Sequence, residues 1–167
     1  MPNGYVIYDG PSMLDGERIV AIVVGLAGSR NVKTGAMIQT YIIRPDVAPI
    51  EAVRAGLDVS ICGGCKHRGD GMGGARSCYV TLVHGPHQVY GAFLRGLYPD
   101  ASPEAVAHIV AGRMIRLGTY GDPAAVPLPV WQALLRWAAG HTGYSHQWRT
   151  LTEAWSRLVM ASVDSVE

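Results

Sequence analysis

The sequence predicts an α/β protein, either a partial parallel (βα) barrel or an open sheet, preceded by an N-terminal β-hairpin. In the second half of the chain, strand-like apolar segments alternate with helix-like segments, a pattern typical of parallel βαβ units. In the first half, two segments rich in Val and Ile flank a run of turn residues, which indicates a hairpin. The length of 167 residues and the hydrophobic content of 49% fit one domain with a buried core.

The predicted hairpin begins with a buried strand over residues 17–28, ERIVAIVVGLAG. Turn residues follow, and residues 37–46 alternate as a second strand that stops at Pro45. Residues 47–56 have a proline ahead of an apolar-periodic stretch and a glycine at its end, which predicts a short helix. The hairpin and this helix together occupy residues 1–56.

The βα units are predicted over residues 79–167 of the single domain 1–167. The clearest helix covers residues 102–112, because Ser102 suits the N-cap and Gly112 the residue after the C-terminus. The chain closes on the strand-like LVMASVDSVE, where a βαβ pattern ordinarily continues into another helix, and this indicates a truncated or partial barrel. The remaining elements are strands over 77–85, 114–122, 142–148 and 158–164, and helices over 85–96, 126–140 and 149–158.

Composition excludes several classes of protein. A charged content of 16% and a net charge of +1 are unlike those of a disordered tail. The basic residues are scattered, so nucleic-acid binding is not expected from charge, and a binder using Lys66, Arg68 and Arg76 is the least favoured hypothesis. The N-terminus lacks a signal-peptide pattern, and no apolar run reaches the roughly 18 residues that span a bilayer. We therefore expect a cytoplasmic protein with no membrane partner.

All three cysteines lie in one glycine-rich loop, residues 57–78. Cys62 and Cys65 have the spacing C-x2-C, and Cys78 follows after twelve intervening residues. A turn with this spacing lets two thiolates face one tetrahedral ion, and the glycines allow the backbone to fold around it. In a reducing cytosol such a pair is more often a metal or redox site than a structural disulfide.

The identity of the metal stays open at the level of sequence. Zinc would need a fourth ligand, for which His67 is the nearest candidate, with Asp70, His84 and His87 behind it. Three thiolates with one open position also suit a four-iron cluster. The alternatives without a metal are a disulfide between Cys62 and Cys65 or three reduced thiols.

A second group of polar residues lies at predicted strand ends, where parallel sheets bind ligands. Asp122 and His146 are candidate acid and base partners. Equally, Asp122 before Pro123 could be a turn residue and His146 a half-buried structural histidine. Further candidates for lining the pocket are Arg116, Tyr120, Tyr144 and Asp164.

Five motifs occur in the order KTGAMIQTYIIRPD, ICGGCKHRG with SCYV, IRLGTYGDPAAVP, TGYSHQW and MASVDS. Together they resemble a family of uncharacterised proteins from bacteriophages and other mobile elements, over nearly the whole chain, and those relatives are longer. More remotely, the cysteine loop, the GD-containing strand and the Y-S-H strand resemble radical-SAM-like phage proteins, which implies a partial (βα) barrel and an iron–sulfur cluster. The cysteines here are spaced C-x2-C-x12-C rather than C-x3-C-x2-C, so S-adenosylmethionine is expected only if the chain is radical-SAM-like.

Two hypotheses about function follow. In the first, the chain is a mobile-element protein that holds zinc or an iron–sulfur cluster through the three-cysteine loop and acts on an unknown small molecule. In the second, it is a small non-catalytic protein that binds a host or phage protein, for example as an inhibitor of a host defence system, with a structural zinc or no metal.

Overall fold

The computed structural model describes residues 1–28, 35–69 and 75–163. Its centre is an open, mixed five-stranded sheet with the strand order β1-β2-β3-β4-β5. This sheet does not close into a barrel, so the open-sheet alternative describes the fold. The strands are β1 (Gly4–Pro11), β2 (Arg18–Val24), β3 (Ile38–Ile43), β4 (Met114–Tyr120) and β5 (Gly140–Thr142).

The N-terminal part of the sheet is antiparallel. β2 pairs antiparallel with β3, which is consistent with the predicted hairpin, and β1, which was not predicted, pairs with the other edge of β2. Every residue of β2 after Arg18 is buried, as is every residue of β3. Because successive side chains of a strand point to opposite faces, both faces of these two strands are covered.

The other part of the sheet is parallel, as the alternation of strands and helices predicts. β4 pairs in parallel with both β3 and β5, so the carboxyl ends of three strands lie at one edge. Two short parallel strands, β6 (Tyr144–Ser145) and β7 (Met160–Ala161), form a separate pair beyond β5. The predicted strand 158–164 is therefore short, and Asp164 lies outside the described residues.

Within the described residues, five α-helices accompany the sheet. The helix predicted over residues 102–112 forms over Pro103–Ile109: Ser102 Oγ caps it by accepting a hydrogen bond of 3.2 Å from the Ala105 N–H, and Gly112, three residues past its end, has a φ of 72°. Trp131 is fully buried, and its indole N–H donates to the Pro123 carbonyl at 2.9 Å. The helices are α1 (Pro49–Arg54), α2 (Val59–Cys62), α3 (Gly85–Leu94), α4 (Pro103–Ile109) and α5 (Leu128–Leu134).

Two sequence predictions are wrong, each for a local reason. Residues 77–85 form no strand before α3, because the Arg76 side chain donates to the Cys78 and Val80 carbonyls that a neighbouring strand would otherwise bind. Residues 149–158 form only a 3-10 helix over Glu153–Arg157. There the Thr150 hydroxyl and N–H both donate to the Gln147 carbonyl, which holds a turn in place of a helix.

Within the described residues, no helix is both long enough and apolar enough to cross a membrane.

Candidate functional site

One pocket brings together the two groups of residues that the sequence singled out. It has a volume of about 300 Å³ and lies at the carboxyl end of β4, the edge at which open α/β sheets bind ligands. Cys62, Cys65 and Cys78 all line it. So do five of the six predicted catalytic and pocket residues, namely Arg116, Tyr120, Asp122, Tyr144 and His146. Asp164, the sixth, lies outside the described residues.

A bulge in β4 shapes the sheet side of the pocket. Gln39 pairs with Arg116 but Tyr41 pairs with Tyr120, so β4 has extra residues opposite Thr40. The Thr40 hydroxyl bridges this gap by donating to the Arg116 carbonyl at 3.0 Å and accepting from the Gly118 N–H at 2.8 Å. Gly118 has a φ of +64°. Bulges redirect side chains next to functional sites, and this one brings the end of β4 to the pocket.

A buried polar network positions α2, the helix that carries Cys62. Ser60 is fully buried, and its hydroxyl lies 2.7 Å from Asp15 Oδ2 and 3.0 Å from Arg44 Nη1. The Ser60 carbonyl accepts a bond of 2.6 Å from the buried Ser12 hydroxyl. Because buried polar groups need partners, this network fixes α2 against the loop after β1 and the end of β3.

Gln147 connects the cysteine loop to the segment after β6. Its side-chain amide donates to the Cys62 carbonyl at 3.1 Å and accepts from the Gly64 N–H at 3.3 Å. Gly63 lies directly under it with a φ of +56°, and a Cβ there would come within 2.7 Å of the Gln147 amide. This role of Gln147 was not predicted, since nothing in a single sequence links positions that are 85 residues apart.

The segment that carries Cys78 folds back on the turn after Cys65. The His67 carbonyl accepts hydrogen bonds from the Ser77 N–H at 3.1 Å and the Cys78 N–H at 2.9 Å. The His67 ring contributes a second contact, with Nδ1 at 2.7 Å from Ser77 Oγ. These bonds explain how a cysteine thirteen residues along the chain from Cys65 reaches the same pocket.

The three cysteines are free thiols, so no disulfide joins Cys62 and Cys65. Burial raises the pKa of the Cys62 thiol well above its ordinary value, and the nearby Asp58, Cys65 and Cys78 raise it further. Burial also raises the pKa of Cys65, whereas hydrogen bonds from the backbone of His67 and Arg68 act in the opposite direction. Cys65 and Cys78 therefore lie close enough to Cys62 to raise the pKa of its thiol.

The side chains in their present positions do not form a closed coordination set. Among residues 1–28, 35–69 and 75–163, no group of three or more His, Cys, Asp or Glu side chains is arranged so that it could hold a metal ion. His67, the predicted fourth ligand, does not line the pocket, although its ring lies 5.6 Å from that of His146. His84 and His87 are exposed and do not line it, and Asp70 lies outside the described residues.

Asp122 contacts His146 through the backbone N–H of His146, and the His146 ring binds a different partner. Asp122 is buried, and its Oδ2 accepts a bond of 2.8 Å from the backbone N–H of His146. Its Oδ1 caps the 3-10 helix Pro123–Ala125 by accepting from the Ala124 N–H at 3.0 Å. The His146 ring lies instead 3.0 Å from Ser162 Oγ. These contacts support the turn-residue interpretation of Asp122.

Three arginines line the pocket together with the cysteines. Arg68 pairs with the buried Asp58 at 2.6 Å, and burial raises the pKa of this carboxyl although Arg68 opposes the shift. Arg116 Nη2 lies 3.1 Å from the hydroxyl of Tyr79, a largely exposed residue at the pocket. Arg76 holds the Cys78 segment through its bonds to two carbonyls. Asp58 and Tyr79 were not predicted as pocket residues, and Arg76 was named only in the nucleic-acid hypothesis, although all three lie close to a cysteine along the chain.

The pocket thus combines the thiols of three cysteines, the guanidinium groups of three arginines and an aromatic mouth, formed by the exposed rings of Tyr79 and Tyr144. This set of groups suits a thiophilic metal and a small anionic ligand. No protein-family model, curated protein or solved structure matches the chain.

Proposed function

We propose that this protein binds a zinc ion or an iron–sulfur cluster through the thiolates of Cys62, Cys65 and Cys78. The observation that carries the proposal is that all three cysteines of the chain, drawn from two segments, line one pocket at the carboxyl edge of a parallel sheet. Thiolates are the ligands that zinc and iron–sulfur clusters prefer among protein side chains. Three of them leave one position of the metal for a ligand from the pocket.

The surroundings of the thiols support this proposal. Backbone hydrogen bonds from His67 and Arg68 favour the thiolate form of Cys65, as they do around metal-bound cysteines. Arg68, Arg76 and Arg116 line the same pocket and would offset the negative charge of the thiolates. Gly63 and Gln147 hold the backbone between Cys62 and Cys65 in one conformation.

Binding requires the thiols to turn towards one another. A change of χ1 rotamer moves a cysteine sulfur while the backbone stays in place. The metal must also displace the thiol protons, and for Cys62 burial opposes ionisation until a cation neutralises the charge. The proposed site is therefore completed by the metal and is not preformed.

Cys62, Cys65 and Cys78 would hold the centre and leave the rest of the pocket for a substrate. A four-iron cluster with an open iron would supply an electron to a ligand of that iron. In that case the resemblance to radical-SAM-like proteins makes S-adenosylmethionine the first cofactor to test. The residues of this chain would contribute positioning: Arg116 and Tyr144 line the pocket, whereas Asp122 holds the backbone of His146.

The test is anaerobic purification followed by an absorption spectrum and elemental analysis for iron and zinc on the same sample. We expect brown protein with several irons per chain, or colourless protein with one zinc. The Cys65→Ser variant should lose the metal. The matched control is His84→Ala, an exposed histidine outside the pocket, which should keep it. A folded wild-type protein without either metal would contradict the proposal.

The alternative function is that of a small interaction protein, with a structural zinc or no metal. The observation that favours it is the aromatic mouth of the pocket, where Tyr79 is 78% and Tyr144 is 53% exposed. Large exposed aromatic side chains are enriched at protein interfaces. A partner from the host of a mobile element remains a prediction of the resemblance. If the purified protein is folded and contains no metal, the next experiment is a search for such a protein partner.

A further inference from the structure

Two buried polar atoms at the pocket have no hydrogen-bond partner within the part of the chain that the structure describes. They are the hydroxyl oxygen of Tyr120 and Nε of Arg76. Both residues line the cysteine pocket, and Tyr120 is only 3% exposed. Buried donors are nearly always satisfied in folded proteins, so each orphaned group calls for an explanation.

The geometry of Arg76 leaves one side of its guanidinium available. Nη1 donates to the Cys78 carbonyl at 3.2 Å and to the Val80 carbonyl at 3.0 Å, which fixes the group in place. Nε lies on the opposite edge, which it shares with Nη2. In a guanidinium this edge binds a carboxylate or phosphate through two parallel hydrogen bonds.

Tyr120 is suited to act as the second donor. Burial raises the pKa of its phenol, and the neighbouring Cys62 and Asp58 raise it further, so the hydroxyl keeps its proton at neutral pH. Arg76 lies close enough to oppose this shift. A protonated phenol and a guanidinium N–H near each other are two donors without an acceptor.

We propose that the pocket binds a small organic anion whose carboxylate or phosphate oxygens accept hydrogen bonds from Tyr120 Oη and Arg76 Nε. The volume of about 300 Å³ limits the ligand to a small molecule. Leu117 and Val80 line the same space and would contact the apolar part of that molecule. The proposal does not depend on the metal centre, because neither Tyr120 nor Arg76 is one of its ligands.

The experiment is an NMR titration of the full chain with three probes of similar size at constant ionic strength: benzoate, phenyl phosphate and the neutral benzamide. We expect at least one anion to shift the resonances of pocket residues and benzamide to leave them unchanged. The anion that binds more tightly, benzoate or phenyl phosphate, indicates whether the natural ligand carries a carboxylate or a phosphate. No response to either anion at millimolar concentrations would overturn the proposal.

The decisive variant is Tyr120→Phe, which removes the hydroxyl alone. We expect it to weaken anion binding about tenfold, the effect of losing one hydrogen bond to a charged group. Without ligand its thermal stability should not fall, since the hydroxyl has no partner among the described residues. Tyr98→Phe, at a half-buried tyrosine outside the pocket, is the matched control and should bind as wild type does.

One further variant and one metal-free control test whether the anion binds at Arg76 and whether its binding depends on the metal. Arg76→Lys preserves the charge but not the planar fork, and it should weaken binding as well. Wild-type protein that has been freed of metal with a chelator should keep anion binding, so the two proposals can fail separately. Equal affinity in wild type, Tyr120→Phe and Arg76→Lys would mean that the anion binds elsewhere and would overturn the proposal.

Discussion

The two glycines between Cys62 and Cys65 differ in whether their position would tolerate a side chain. Gly63 has a φ of +56°, and a Cβ at this position would approach the Gln147 amide to 2.7 Å. At Gly64 the nearest atom to an added Cβ is Gln147 Oε1 at 3.8 Å, an ordinary van der Waals contact. Only the first of the two positions therefore requires glycine.

Gly63→Ala should destabilise the protein by about 1–3 kcal/mol, because it combines a strained φ with a clash against Gln147. Gly64→Ala is the matched control and should change the free energy of unfolding by less than about 0.5 kcal/mol. Urea denaturation of both variants measures the difference. Equal stabilities would show that the backbone at Gly63 is not constrained as described.

At this scale the sequence grouped the three cysteines, but it did not predict the residues that hold them in place. The C-x2-C spacing and the glycines around it were enough to group Cys62, Cys65 and Cys78 as one site, and all three line one pocket. Neither the role of Gln147 nor that of Arg76 could be predicted. Their contacts depend on where distant segments and irregular backbone come to lie, and a hydrophobic pattern carries no such information.

Among the elements, α2 depends on a polar network more than on its own length. A helix of four residues has little intrinsic stability. It is held because Arg44, only 8% exposed, lies between Ser60 on one side and the carboxylates of Asp46 and Glu17 on the other. Arg44 and Asp46 form two hydrogen bonds, of 3.0 Å and 2.8 Å.

This pair predicts a pH dependence. The hydrogen bonds from Arg44 lower the pKa of Asp46, so the carboxylate stabilises the folded state above its unfolded pKa. That contribution is lost as the pH falls through the lower, folded pKa. Between about pH 5 and pH 2 the wild type should therefore lose more stability than Asp46→Asn.

The double variant supplies the control for this experiment. In an Arg44→Met background, Asp46→Asn should make little difference to the acid side of the stability curve, because the bonds that lower the pKa are absent. The midpoint of urea denaturation is measured across this pH range for the wild type, Asp46→Asn, Arg44→Met and the double variant. A wild type that parallels Asp46→Asn would contradict the assignment.

The elements that the sequence predicted correctly are those whose signals are local. α4 has its cap, its proline and the glycine that follows it within eleven residues, and both β2 and β3 are rich in Ile, Val and other apolar residues. Residues 77–85 look equally strand-like, yet Arg76 occupies the carbonyls that pairing would need. This irregular segment carries Cys78. The part of the chain that departs from the predicted secondary structure therefore belongs to the candidate site.

At the scale of the whole molecule, the topology of the sheet determines where the pocket lies. Because β3, β4 and β5 run parallel, the residues that follow β4 and β5 lie at one edge, and the cysteine loop folds onto it. The alternation of strands and helices was enough to predict this edge from the sequence. It did not decide between an open sheet and a partial barrel, since closure depends on strand tilt and register and not on alternation.

The central claim is that Cys62, Cys65 and Cys78 bind one metal centre, and X-ray absorption at the iron or zinc edge of the purified protein tests it most directly. The proposal predicts a first shell dominated by sulfur at about 2.3 Å, with three cysteine sulfurs per zinc or per cluster. In Cys65→Ser this shell should be lost. A first shell made only of oxygen and nitrogen, or one unchanged in Cys65→Ser, would contradict the claim.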